Sequence, residues 1–88
     1  MKHYSKDEAL NELPGWNYKN EGVEKDFLFK DFSQAFGFMT RVALLCESAD
    51  HHPEWSNVYN KVHLRLSTHS EKALTEKDIE LAKKIDML

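Results

Sequence analysis

An apolar stripe over residues 32–49 constrains the fold of this 88-residue chain more than any other feature of its sequence. Apolar side chains recur there at steps of three and four: Phe32, Ala35, Phe36, Met39, Val42, Ala43, Cys46 and Ala49. This spacing is typical of a helix that buries one face, and Asp31 with Gln34 supplies a helix start. The rest of the chain must therefore provide a surface on which a helix ending near Asp50 can pack.

The segments on either side of this helix show the alternation of polar and apolar residues that is typical of β-strands. Four of them are predicted as strands: Trp16–Tyr18, Val23–Phe29, Trp55–Tyr59 and Lys61–Thr68. Capping-box patterns at Ser5–Glu8 and Thr75–Asp78 predict a helix before the first strand and another after the last. Because short turns join neighbouring strands, we expect one α+β domain spanning residues 1–88, with a four-stranded antiparallel sheet, three helices packed on one face and the order α-β-β-α-β-β-α.

The composition excludes several classes of function. Lys plus Arg number 12 and Asp plus Glu number 15, a formal net charge of −3 that argues against binding to nucleic-acid phosphates. Three glycines form no phosphate-binding motif, and the longest apolar run, Val42–Cys46, is too short to span a membrane. The single cysteine and the polar first ten residues, which lack a signal-peptide pattern, lead us to expect a cytoplasmic protein.

Histidine is the residue type that points to chemistry, since the chain contains five, two of them adjacent. His51 and His52 follow the predicted long helix, whose last turn contains Glu47 and Asp50, and His69 follows the fourth predicted strand. Only the third strand separates the two histidine segments, so they can meet in space. Because imidazole accepts and donates protons near neutral pH, a cluster of three predicts acid–base catalysis.

The spacing of these residues leaves other interpretations open. His51 could interact as a cation with the helix C-terminus, and His69 could be a solvated residue at a strand end. A metal site would use Glu47 with the three imidazoles, although adjacent ring ligands diverge. A nucleophilic Cys46 is a further alternative, although its apolar position is typical of an inert thiol.

The remaining polar candidates are interpreted as structural. His3 lies in the N-terminal segment, and His63 lies on the polar face of the fourth predicted strand, beside Glu54 or Ser56 depending on the register. Asp78 is interpreted mainly as the acceptor of the second capping box.

The centre of the chain resembles the signature of the pterin-4a-carbinolamine dehydratases: ESADHHPEWSNVYN at residues 47–60, followed by LSTH at 66–69. The spacing also matches that family. Three residues separate an acidic residue from His-His-Pro, Tyr59 follows, nine residues separate Tyr59 from a histidine, and eight residues separate that histidine from Asp78. The segments FMTRVALL, WSNVYNKV and LTEKDIELA are also similar, so the resemblance covers essentially the whole chain. Family members often carry a glycine before the last helix, where this chain has Glu71-Lys72-Ala73, and the conformation of this loop is therefore left open.

The resemblance implies a hydro-lyase that converts 4a-hydroxytetrahydrobiopterin to quinonoid dihydrobiopterin and water, which recycles the pterin used by aromatic amino acid hydroxylases. The pterin would be the substrate, and the family needs no metal and no organic cofactor. The implied catalytic residues are His51, His52 and His69. The implied substrate-binding residues are these three histidines with Glu47, Asp50, Pro53, Trp55, Ser67, Thr68 and Ser70. His51 and His69 would transfer protons and His52 would hold the pterin, while Trp55 is equally well explained as a core residue.

The same resemblance implies a second class of function. Some animal members of the family act as dimerisation cofactors of a homeodomain transcription factor by binding its dimerisation helices, which would add a nuclear location. That role would use a surface of the long helix, which family members also use to form tetramers. Phe36, Phe38 and Met39 give this helix more apolar area than one face buries. We therefore expect a homo-oligomer, a dimer or a tetramer, that contacts neither nucleic acid nor membrane directly.

Overall fold

A computed structural model describes residues 1–88. Its seven elements are α1 Lys6–Glu12, β1 Asn17–Lys19, β2 Gly22–Leu28, α2 Phe32–Ala49, β3 Glu54–Val58, β4 Lys61–Leu66 and α3 Glu76–Asp86. The predicted fold class is confirmed: three helices accompany a four-stranded antiparallel sheet in the order α-β-β-α-β-β-α. The strand ends agree with the predicted ones to within two residues.

The sheet has the order β1-β2-β4-β3, and every neighbouring pair is antiparallel. In the turn between β1 and β2, Asn20 and Glu21 both have positive φ angles of 47° and 60°, the backbone of a type I′ turn, which matches the twist of the paired strands. Helix α2 connects β2 to β3, and β4 then folds back between these two strands. Because Glu54 pairs with Arg65, the segment that precedes β3 lies beside the end of β4.

The helices bury an apolar core against one face of the sheet. On β4, Val62, Leu64 and Leu66 have no solvent exposure, while His63 and Arg65 between them lie on the other face, as the alternation predicts. From α3, Ile79, Ala82 and Ile85 pack into the same core. Each fully buried aliphatic side chain of this kind contributes roughly 1.5–3 kcal/mol to the stability of the fold.

Helix α2 buries a face rotated from the predicted stripe. Its buried residues are Ala35, Phe38, Val42 and Cys46. Phe32 and Phe36, predicted as core residues, are 50% and 57% exposed. Phe38 takes the core position because its ring packs against those of Phe27 and Phe29, with centroid distances of 4.7 and 4.9 Å. Although α2 is 18 residues long, neither it nor any other helix has both the length and the apolar character needed to cross a membrane.

The loop in which the chain departs from the resembled family closes without glycine. Thr68 and Ala73 form an isolated bridge, in which the N–H of Thr68 donates to the carbonyl oxygen of Ala73 at 3.0 Å. Lys72 completes the loop with a φ of 51°. This left-handed conformation is unfavourable for any residue with a β-carbon, so the lysine occupies a position better suited to glycine.

We expect Lys72→Gly to raise the free energy of unfolding by up to about 1 kcal/mol, because the left-handed conformation costs a non-glycine residue roughly 1–2 kcal/mol and glycine loses roughly 0.5–1 kcal/mol in entropy. Urea denaturation followed by circular dichroism measures the change. Ser70→Gly is the control, since Ser70 lies in the same loop without a positive φ, and it should not stabilise the protein. A Lys72→Gly variant no more stable than Ser70→Gly would show that the left-handed conformation of Lys72 does not destabilise the fold.

Candidate active site

An open pocket of about 260 Å³ lies between the α2–β3 connection, the end of β4 and the first turn of α3. Seven predicted site residues line it: Asp50, His51, His52, Ser67, Thr68, His69 and Ser70. Lys77, which the sequence analysis did not identify, also lines it. The three imidazoles predicted to form one cluster therefore border the same cavity.

The C-terminus of α2 determines where the first of these imidazoles lies. Asp50 adopts a left-handed conformation with φ 50° and ψ 46°. The N–H groups of Asp50 and His51 donate to the carbonyl oxygens of Glu47 and Cys46, at 3.2 and 3.0 Å. These two bonds form a Schellman motif, a common way of ending a helix. The His-His-Pro segment thus begins at a well-defined helix end.

A buried carboxylate, that of Asp78, connects the pocket to the fold. Asp78 has no solvent exposure, and its Oδ1 lies 2.5 Å from Nε2 of His51. Its Oδ2 accepts hydrogen bonds from the hydroxyl of Thr68 at 2.8 Å and the N–H of Thr75 at 2.9 Å. Since the Thr68 proton is used in this way, the Thr75 hydroxyl donates to Thr68 at 2.7 Å. Asp78 therefore has its predicted capping role and, in addition, pairs with His51.

The His51–Asp78 pair has direct chemical consequences. Three donors surround the Asp78 carboxylate, so its charge is compensated although it is buried. A carboxylate that accepts a hydrogen bond from one ring nitrogen fixes the orientation and the tautomer of an imidazole. Nδ1 of His51 has no hydrogen-bond partner in the protein, so this nitrogen is the one available to a ligand in the pocket.

Each of the other two imidazoles also lies beside its own carboxylate. Nε2 of His52 is 2.8 Å from Oε1 of Glu47, and Nε2 of His69 is 3.3 Å from Oε1 of Glu54. These pairs are exposed, with the His69 side chain 73% accessible against 10% for His51. The three imidazoles therefore share one arrangement, a carboxylate at Nε2, but only the first pair is buried. Glu54 was missed by the sequence analysis, although its place directly after His-His-Pro is a signal that could have indicated it.

Three predicted binding residues lie outside the pocket lining: Glu47, Pro53 and Trp55. Glu47 acts on the pocket only through His52. Trp55 is opposite Leu64 in the β3–β4 register and packs, half-buried, against the core. Because neighbouring strand residues alternate between faces, Trp55 faces the core while Glu54 faces the other side. The alternative interpretation of Trp55 as a core residue is the one that this geometry favours.

The geometry gives no support to a metal site or a cysteine nucleophile. No group of three or more His, Cys, Asp or Glu side chains is arranged to hold a metal ion. Cys46 lies on the buried face of α2, and burial raises the pKa of its thiol to about 11. The thiol is therefore protonated at neutral pH, the opposite of what a nucleophile requires.

The two histidines interpreted as structural lie away from the pocket. His63 is on the outer sheet face, where its Nδ1 is 2.6 Å from Asp26 and its Nε2 is 3.0 Å from Glu24. The hydrogen bond with His63 lowers the pKa of Asp26. In the same way, the hydrogen bond with His3 lowers the pKa of Glu71. In the register of the sheet, the neighbour of His63 on β3 is Ser56 and not Glu54. A wider depression of about 440 Å³ borders His63, but its histidine and carboxylates are already paired with each other.

Known proteins resemble this chain over its whole length. The family model described as pterin 4 alpha carbinolamine dehydratase matches residues 1–88. A predicted pterin-4-alpha-carbinolamine dehydratase of Nitrobacter winogradskyi is 51% identical over 82 residues, which are 91% of this chain and 81% of that protein. One of Prochlorococcus marinus, predicted to have the same activity, is 48% identical over 82 residues, with 93% and 86% of the two chains covered.

Solved structures share the fold. The crystal structure of a transcriptional coactivator/pterin dehydratase from Brucella melitensis superposes with a TM-score of 0.91 at 46% identity, covering 98% of this chain and 97% of that one. A pterin dehydratase-like protein described as a RuBisCO assembly factor in the alpha-carboxysome superposes with a TM-score of 0.70 at 20% identity, over 98% and 94% of the two chains. At that identity, the second structure shows a common fold alone.

The state of Cys46 can be tested by alkylation. At pH 7.5 we expect iodoacetamide to label the folded protein at least about 100-fold more slowly than the protein unfolded in urea, because a thiol with a raised pKa forms little thiolate. Mass spectrometry follows the labelling, and glutathione under both conditions corrects for the effect of urea on the reagent. Equal rates in the folded and unfolded protein would restore Cys46 as a candidate nucleophile.

Proposed function

The chain belongs to the pterin 4 alpha carbinolamine dehydratase family, and on this premise we propose that it converts a 4a-hydroxytetrahydropterin to the quinonoid dihydropterin and water. 4a-Hydroxytetrahydrobiopterin is the proposed substrate, and recycling of the pterin of aromatic amino acid hydroxylases is the proposed role. The observation that carries the proposal is the His51–Asp78 pair, which borders one pocket with His52 and His69.

The proposed reaction needs two proton transfers at neighbouring atoms. The bond between C4a and the hydroxyl oxygen breaks, and the proton on N5 leaves. The electron pair of the N5–H bond forms the double bond between C4a and N5, and the hydroxide departs as water after gaining a proton. One proton acceptor and one proton donor are therefore sufficient, and two imidazoles can supply both without any change in oxidation state.

In the proposed mechanism, His51 and His69 carry these two protons. His51 would act through Nδ1, because Nε2 is engaged with Asp78. The carboxylate would hold the His51 ring in the orientation in which Nδ1 can exchange a proton with the substrate. His52, paired with Glu47, would hold the pterin ring, and Asp50 would help to orient it from the same pocket edge.

The segment after β4 is suited to the amide-like edge of a pterin. The hydroxyl protons of Ser67 and Thr68 are already donated, to the carbonyl oxygen of Glu21 at 2.7 Å and to Asp78 at 2.8 Å. The backbone N–H groups of His69 and Ser70, in contrast, have no partner in the protein. Backbone donors that border a pocket without a partner are available to a ligand carbonyl. We therefore assign substrate binding here to these two N–H groups and the Ser70 hydroxyl.

A second function, binding of a helical partner, is favoured by the exposed face of α2. Phe32, Phe36 and Leu44 are 50%, 57% and 66% exposed and follow one another at multiples of four residues, so they form one apolar stripe. Exposed stripes of this kind mark interaction sites. We propose that the stripe contacts a second copy of the chain. The alternative function, a dimerisation cofactor for a transcription factor, would present the same stripe to a partner's helices, and the relative from Brucella melitensis is described as both coactivator and dehydratase.

We expect His51→Ala and His69→Ala each to lower turnover by at least about tenfold, because a positioned acid or base contributes about 10²–10⁴ in rate. The assay follows quinonoid dihydropterin spectroscopically, from carbinolamine generated chemically or enzymatically. His63→Ala, which removes an imidazole that does not line the pocket, should leave turnover within about twofold of the original. Unchanged turnover in both site variants would refute the assignment, and loss of activity on chelation would restore the metal alternative.

Replacing Phe36 with glutamate should reduce the size of the assembly, because the substitution places a charge in the centre of the apolar stripe. Light scattering coupled to size-exclusion chromatography measures the mass at several concentrations. Leu28→Glu is the control, since Leu28 is an equally apolar residue, 75% exposed on the outer sheet face. An original protein that is monomeric, or a Phe36→Glu variant with an unchanged oligomeric mass, would refute the proposed contact.

A further inference from the structure

We propose that Glu54 is a positioning residue for His69, and that Arg65 holds Glu54 in place; this inference rests on the proposed dehydratase function. Glu54 does not line the pocket. Its two carboxylate oxygens contact two different side chains: Oε1 is 3.3 Å from Nε2 of His69, and Oε2 is 3.4 Å from Nε of Arg65. The carboxylate therefore bridges the pocket and the outer face of the sheet.

His69 is the site imidazole that most needs such a partner. Its side chain is 73% exposed, and it lies beyond the last residue of β4, in the loop that leads to α3. A side chain in this position exchanges between rotamers unless a contact restrains it. Glu54 is the only side chain that an ion pair or hydrogen bond joins to His69. Nδ1 of His69, like that of His51, has no partner in the protein.

The position of Glu54 is in turn determined by Arg65. Glu54 and Arg65 are opposite each other in the β3–β4 register. The guanidinium donates to three groups of the β1–β2 hairpin: the carbonyl oxygens of Lys19 and Asn20, both at 2.6 Å, and the carboxylate of Glu24 at 3.0 Å. Because the planar guanidinium makes these hydrogen bonds at the same time, it is restrained more tightly than a side chain that forms a single ion pair. Arg65 is therefore held in place, and its contact with Glu54 restrains that carboxylate beside His69.

Gly22 provides the space for this arrangement. A β-carbon at residue 22 would lie 2.6 Å from Cζ of Arg65, closer than non-bonded carbon atoms approach. The guanidinium can therefore lie over the β1–β2 hairpin only because residue 22 has no side chain. A continuous series of contacts thus runs from the hairpin through Arg65 and Glu54 to His69.

The positioning role of Glu54 follows from the effect of a carboxylate beside Nε2 on the orientation of an imidazole ring. The carboxylate favours the ring orientation in which Nε2 faces it and Nδ1 is left for the substrate. Asp78 has this relation to His51 inside the protein, and Glu54 has it to His69 at the surface. Because the exposed pair is screened by solvent, its contribution is expected to be small but measurable.

A double-mutant cycle with His69 tests the proposal. We expect Glu54→Ala to lower kcat by about two- to fivefold and to leave KM within about twofold, since an exposed ion pair contributes up to about 1 kcal/mol, which is about fivefold in rate. In the His69→Ala background the same substitution should have no further effect. Asp26→Ala is the matched control, because it removes a carboxylate from the same sheet face without contact to His69, and it should leave kcat unchanged in both backgrounds.

The outcomes separate this inference from the proposed function. Glu54 does not act through His69 if Glu54→Ala lowers kcat equally in both backgrounds or in neither. The same conclusion holds if His69→Ala itself leaves kcat unchanged. An original protein without dehydratase activity would instead refute the proposed function. In that case, the ¹⁵N NMR signals of the imidazoles test the contact between Glu54 and His69. Glu54→Ala should shift the signals of His69 and leave those of His51 in place. Unchanged His69 signals would overturn the pairing.

Discussion

The buried carboxylate of Asp78 is the interaction on which the rest of the site depends. It accepts hydrogen bonds from the end of β4 through Thr68 and from the start of α3 through Thr75, and it lies against His51 from the α2–β3 connection. An uncompensated buried charge would cost several kcal/mol, so each of these donors contributes to keeping the carboxylate buried. Helix capping and orientation of the imidazole are consequently one arrangement, and stability and chemistry cannot be changed separately at this residue.

The three imidazole–carboxylate pairs differ in burial, and this difference separates their roles. Charges interact more strongly where solvent does not screen them, so the His51–Asp78 pair is the rigid part of the site. The pairs of His52 with Glu47 and of His69 with Glu54 are exposed, so solvent screens them and each carboxylate restrains its imidazole less than Asp78 restrains His51. One strongly restrained imidazole and two weakly restrained ones are compatible with the proposed dehydration, in which a flat ring must enter, lose water and leave.

The elements and most of the pocket residues could be predicted from the sequence, but some side-chain positions could not. Phe36 and Phe38 each lie three or four residues from other apolar residues of α2, and only the location of Phe27 and Phe29 on the sheet decides that Phe38 is buried. Trp55 could be interpreted equally well as a binding residue or as a core residue, and the β3–β4 register turns it towards the core. For both side chains, the residues nearby in the chain allow either a buried or an exposed position, and a contact with another element determines which one is adopted.

The sequence by itself determined what depends on neighbouring residues: the capped helices, the break at His-His-Pro, the two hairpins, and the presence of imidazoles and carboxylates in segments that could meet. The tertiary structure alone decided which carboxylate serves which imidazole. Glu47 and His52 are close in the chain, but Asp78 reaches His51 across 27 residues, and Glu54 reaches His69 only because β3 pairs with β4. Local interactions cannot specify such partners, because the packing of α3 and the strand register bring together groups that the chain itself keeps apart.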